Sequence, residues 1–88
     1  MTFKDRITTK LTEGLKPIAL EVIDESHHHA GHSGSREGGE THFRVKVVSD
    51  QFSGASRVNR HRMINTLLAA ELAERVHALA IEARAPGE

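Results

Sequence analysis

Thr41-His42-Phe43-Arg44-Val45-Lys46-Val47-Val48-Ser49 alternates apolar and polar side chains along its length. Phe43, Val45 and Val47 point one way, and His42, Arg44 and Lys46 point the other. A period of two is the signature of a strand with one face on the core and one in water. The neighbouring segments take their places from this strand. Upstream, residues 26–40 hold Gly31, Gly34, Gly38, Gly39 and three serines, so they predict a loop. The loop is long for a strand connection, and loops of that length are usually functional or flexible. Residues 18–25, Ile-Ala-Leu-Glu-Val-Ile-Asp-Glu, read as the strand before it.

Further upstream, Phe3, Ile7, Leu11 and Leu15 recur every four residues, which predicts a helix. Thr2 followed by Asp5 matches a capping box, and Gly14 with Pro17 marks the stop. Downstream, Asp50 to Ala55 reads as a turn containing Gly54. A second helix starts at Ser56 as N-cap and carries Val58, Ile64, Leu67, Leu68 and Leu72. Val76 to Arg84 reads as a third strand, ended by Pro86-Gly87. The order is α-β-β-α-β, a two-layer α+β domain with a three-stranded mixed sheet and its helices on one face. Strands one and two should pair antiparallel, and strand three should lie parallel to strand two after a right-handed crossover. The end of strand one, the start of strand two and the start of strand three then share one sheet edge. The start of the second helix lies at the opposite edge.

At 88 residues the chain predicts one domain, 1–88, with a flexible His/Gly-rich loop at 26–40. A chain of this length has a thin core and little room for an enclosed active site. With three Phe and no Tyr or Trp, that core is aliphatic. Lys plus Arg and Asp plus Glu are 12 each, so nucleic acid or an anionic membrane must be met by a local patch. No apolar run approaches a bilayer span, and the start from Met1 is amphipathic; a soluble cytoplasmic protein without membrane association is expected. The absence of cysteine excludes disulfides, thiol catalysis and thiolate clusters held by this chain alone. No catalytic constellation emerges, and an enzyme is not expected.

Two groups of residues carry chemistry. Four of the seven histidines, His27, His28, His29 and His32, lie in the loop. A metal site, a proton switch or a solvated connector are all open readings of such a segment. His29 with His32, or His28 with His32, has usable ligand spacing, and His77 or His42 could add a distant ligand. On a regular strand, however, His77 shares a face with Leu79 and Ile81, which predicts a packed residue at the core's edge. His42 falls on the polar face. A [2Fe–2S] cluster takes four protein ligands, usually thiolates, with imidazole possible on one iron. This chain has no thiolate, so any such cluster must be shared with a partner that brings them.

The second group is Gly54, Arg57, Arg60, His61 and Arg62, around a helix start where backbone N–H groups favour phosphate. Three phosphate contacts would lose about forty-fold in affinity between 50 and 200 mM salt. That suffices for an accessory contact. The competing reading is a solvated basic face with arginines paired to Glu71 or Glu74.

Taken together, several stretches resemble the BolA family over nearly the whole chain. They are Asp24-Glu25-Ser26, Glu40-Thr41-His42-Phe43, Val48-Ser49-Asp50-Gln51-Phe52-Ser53-Gly54, Asn59-Arg60-His61-Arg62-Met63-Ile64 and Val76-His77-Ala78-Leu79-Ala80-Ile81. The resemblance implies the class II KH-like fold, and a non-enzymatic adaptor that binds a monothiol CGFS-type glutaredoxin. It also implies a shared [2Fe–2S] cluster, with glutathione and the glutaredoxin cysteine as sulfur ligands, serving iron–sulfur trafficking or iron sensing. The family's histidine ligand carries over to His77. Its loop ligand carries over to His29, with His28, His32 and His27 as alternates. The free protein is expected as a monomer or weak homodimer. The alternative that the resemblance implies is a DNA-binding transcriptional regulator of stress and morphology genes, acting through Arg57, Arg60, His61, Arg62 and Gly54.

Overall fold

A computed structural model of the chain describes residues 2–25 and 41–88. Its elements are α1 (Phe3–Leu15), β1 (Ala19–Asp24), β2 (His42–Val48), a 3₁₀ turn (Asp50–Phe52), α2 (Arg57–Leu67), α3 (Ala69–Glu74) and β3 (Ala78–Arg84). The sheet order is β1-β2-β3. β1 runs antiparallel to β2, with Ala19 opposite Val48 and Asp24 opposite Phe43. β3 runs parallel to β2, from His42 opposite Ala78 to Val48 opposite Arg84. The α+β architecture and both strand directions are as expected.

The alternation in β2 does what it predicts. Phe43, Val45 and Val47 are buried, and they meet Ile7, Leu11 and Leu15 of α1, Ile64 of α2, and Leu68 in one core. Leu79, Ile81 and Ala83 of β3 pack against the same side. All helices therefore cover one face of the sheet. Arg44, on the other face, bridges Glu25 (3.0 Å) and Glu82 (3.6 Å). The Thr2–Asp5 capping box is formed, and Ser56 caps α2 by accepting from the Asn59 N–H.

Several details depart from the periodicity. The left-handed residue that ends α1 is Lys16 (φ 46°), not a glycine. Gly14 is inside the helix, where a Cβ would stand 2.7 Å from a Leu67 methyl. Its lack of a side chain leaves room for the Leu67 methyls against α1. The expected single helix from Ser56 breaks at Leu68 into α2 and α3. Val58 is 60 % exposed, so it does not belong to the apolar stripe. Phe52, read as part of a turn, is wholly buried and plugs the core from the 3₁₀ turn. Ser49 caps that turn, and its hydroxyl donates to the buried Leu15 carbonyl at 2.7 Å.

α3 is held by a clamp. Glu71 is fully buried, and its carboxylate accepts from Lys10 Nζ (2.8 Å) and Arg6 Nε (3.0 Å) of α1. Glu74 accepts from Arg6 at 2.9 Å. Glu71 and Glu74 thus pair with α1, not with the arginines of α2. Burial alone would raise the Glu71 pKa; the Lys10 hydrogen bond, its own backbone N–H and the charges of Lys10 and Arg6 outweigh that and hold it low.

Candidate functional site

The start of β2 gathers three pieces of chain. The Glu25 N–H donates to the His42 carbonyl at 2.7 Å, so the end of β1 lies against it. The His77 N–H (2.8 Å) and the Ala78 N–H (3.2 Å) both donate to the Thr41 carbonyl. Because two successive amides share one acceptor, the pleat begins only at Ala78. This is why His77 does not follow Leu79 and Ile81 to the core. The packed position expected for it is not adopted: His77 precedes the strand and is exposed. Buried Val76, whose N–H donates to the Glu71 carbonyl, anchors the residue before it. An imidazole free in water thus projects from a backbone fixed on both sides.

His42 is half-buried, its Nδ1 at 2.8 Å from the Thr41 hydroxyl. His27, His28, His29 and His32 lie outside the described residues, and so does the expected loop at 26–40. Among the described residues, no group of three or more His, Cys, Asp or Glu side chains could hold a metal ion. No described helix is long and apolar enough to cross a membrane.

The basic residues sit at the other end of the sheet. Gly54 adopts φ 78°, a conformation that closes the turn between Phe52 and α2. Arg57 and Arg62 are exposed on α2, and His61 is half-buried. Arg60 is different. Its Nε donates to the Ala55 carbonyl (3.0 Å) and one Nη to the Ala83 carbonyl (3.1 Å). Its guanidinium carbon lies 5.9 Å from the centre of the Phe52 ring. Its two Nη atoms also grip the Glu88 carboxylate, at 2.5 and 2.7 Å. Arg57, Arg60, His61 and Arg84 line one cleft with Ile81 and Ala83, of about 390 Å³. Arg62 faces a separate groove, with Met63, Leu67 and Gly14. The basic cluster is therefore two surfaces and not one. The sequence signal that could have found Arg84 is its register opposite the end of β2; nothing local in the sequence marks Glu88.

Comparison with known proteins places this geometry. The family model described as BolA-like protein matches residues 11–88. An uncharacterised Sinorhizobium protein, named for its place in the cobS 5′ region, is 53 % identical over 100 % of this chain and 96 % of its own length. The Escherichia coli DNA-binding transcriptional regulator BolA is 48 % identical over 92 % of this chain and 73 % of its own. The Arabidopsis thaliana SufE-like protein 1 is 49 % identical over 94 % of this chain, which spans only 24 % of that longer protein. The solved BolA domain of SufE1 from Arabidopsis superposes with a TM-score of 0.86 at 48 % identity, covering 98 % of this chain and 94 % of that one. With the family model matching residues 11–88 and these relatives and the solved BolA domain alike over nearly the whole chain, the chain belongs to the BolA-like protein family.

Proposed function

We propose that the protein is a non-enzymatic adaptor that binds a monothiol CGFS-type glutaredoxin and shares a [2Fe–2S] cluster with it, in iron–sulfur trafficking or iron sensing. The observation that carries this reading is the placement of His77: an exposed imidazole on an anchored backbone, beside the point where the chain leaves Glu25 toward His29. The ligand chemistry supports it. A chain with no cysteine can bring imidazoles only, and a cluster with imidazole ligands still needs thiolates. His77 and His29 are the proposed ligands from this chain, with His28, His32 and His27 as alternates. The glutaredoxin cysteine and glutathione supply the sulfur. The cluster supplies redox-sensitive, labile iron; this chain supplies the imidazole side and the docking edge.

Anaerobic co-purification with the cognate glutaredoxin, followed by iron and sulfide analysis, tests the partnership. In reconstituted heterocomplexes, His77→Ala is expected to abolish the visible absorption and circular dichroism of the shared cluster. His29→Ala is expected to weaken or shift them. An unchanged His77→Ala spectrum refutes the ligand assignment.

A second reading is a DNA-binding regulator, favoured by the name of the Escherichia coli relative and by the basic cleft at the α2 start. It requires promoter retention at physiological salt that is lost when Arg57, Arg60 and Arg62 are changed to Ala. Retention that disappears above low salt for every sequence reduces it to nonspecific attraction.

A further inference from the structure

We propose that Arg60 forms the seat of a phosphate-oxygen site in the cleft between α2 and β3, that Glu88 occupies this seat from within the chain, and that a nucleic-acid backbone displaces it. The inference deepens the DNA-binding reading and does not depend on the cluster reading. Three features of the cleft carry it. First, Arg60 is positioned before any ligand arrives. The Ala55 and Ala83 carbonyls and the Phe52 ring fix its guanidinium, which is only 12 % exposed. What remains open is a two-pronged donor edge, the geometry that matches carboxylate or phosphate oxygens.

Second, an oxyanion already sits there. Both Glu88 carboxylate oxygens take hydrogen bonds from Arg60, and Oε1 also accepts from the Ala85 N–H at 3.1 Å. Third, the seat has more positive charge around it than one carboxylate needs. Arg57 and Arg84 line the same cleft, whereas Glu82, its other acid, is engaged with Arg44. Several cations around a single seat suit a polyanion that brings successive phosphates. Glu88 is held down at about 2 by the Arg60 hydrogen bonds, then by the Ala85 N–H and the Arg60 and Arg84 charges. Acidification within the physiological range therefore does not open the seat. Competition by another oxyanion does.

The test uses the full chain and a labelled DNA duplex, read by fluorescence anisotropy across a salt series. Glu88→Ala is expected to tighten binding about two- to fivefold, the range of an exposed ion pair. It is also expected to steepen the plot of log affinity against log salt by roughly 0.9, one added phosphate contact. Arg60→Gln removes both the charge and the two-pronged edge and should cancel both gains. Glu13→Ala, the same charge change on exposed α1, should leave the slope unaltered. Glu88→Gln, which keeps an acceptor for the Ala85 N–H, replaces Glu88→Ala if the turn is unsettled. Equal effects of Glu88→Ala and Glu13→Ala overturn the proposal while leaving DNA binding through Arg57 and Arg62 intact. Absence of binding by every variant overturns both. In the Glu88→Ala protein, an Arg60 Nε–H resonance that saturates with inorganic phosphate but is unmoved by DNA overturns the nucleic-acid assignment.

Discussion

Replacing Glu71 by Gln removes one charge from the α1–α3 clamp with almost no change in volume. The wild-type carboxylate offers Oε1 to Lys10 and Oε2 to Arg6 from a fully buried position. A Gln amide can accept from only one of them; its NH₂ then faces the other donor. Removing one partner of a wholly buried pair costs about 3–5 kcal/mol. Here the Arg6 and Lys10 side chains are 28 % and 37 % exposed and can turn to water, so about 2 kcal/mol is expected. For a domain of this size that is a drop in Tm of roughly 8–16 °C. The pH dependence has a definite sign. The folded carboxyl titrates below its unfolded value, so its contribution is fully present above about pH 4.5 and is lost as pH falls through the folded pKa. Urea unfolding by circular dichroism should show the gap between wild type and Glu71→Gln at neutral pH and its closure in acid. Glu71→Met, which leaves Arg6 and Lys10 without an acceptor, should cost at least as much as Glu71→Gln. A Gln variant as stable as wild type at pH 7, or a gap that persists unchanged at about pH 3, refutes the clamp.

Gly14→Ala should gain about 1 kcal/mol of helix propensity and lose more than that to overpacking against Leu67, where the added Cβ meets side-chain carbons at 2.7 and 2.8 Å. Thermal melts should therefore show net destabilisation in the wild-type background and stabilisation in a Leu67→Ala background; the same sign in both refutes the contact. Gly54→Ala, with φ 78° and no atom within 4 Å of the added Cβ, should cost about 1 kcal/mol from backbone conformation alone. Gly54→Asn should cost less by the same denaturation assay, and equal losses would point to an unseen contact instead.

Much of this fold is written in local pattern. Alternation from Phe43 to Val47 and the four-residue stripe of α1 need only one buried face each, and the register turns those faces together. What local pattern does not carry is the position of residues fixed by distant partners. His77 has strand parity with Leu79, yet a shared acceptor at Thr41 delays the pleat and leaves it in water. Glu71 looks like a surface acid of an amphipathic helix until Arg6 and Lys10 are brought to it from the first turns of α1. Arg60 resembles its neighbours Arg57 and Arg62 in sequence; only the folded chain supplies the carbonyls and the carboxylate that set it apart.

The parallel pairing of β2 with β3 separates the two candidate sites. Both strands begin at the His77 edge and end beside Arg84 and the α2 start. Six strand steps at roughly 3.3 Å each place these edges about 20 Å apart. Groups more than about 10 Å apart with no shared partner perturb a small domain nearly independently. His77 is anchored through Thr41 and Val76, and Arg60 through Ala55, Ala83 and Phe52, so no anchor is common to both. A His77 substitution should therefore leave DNA affinity untouched, and a Glu88 substitution should leave the cluster spectrum untouched. Any coupling between them would have to pass through the partner, by glutaredoxin covering more of the sheet than the edge where His77 stands.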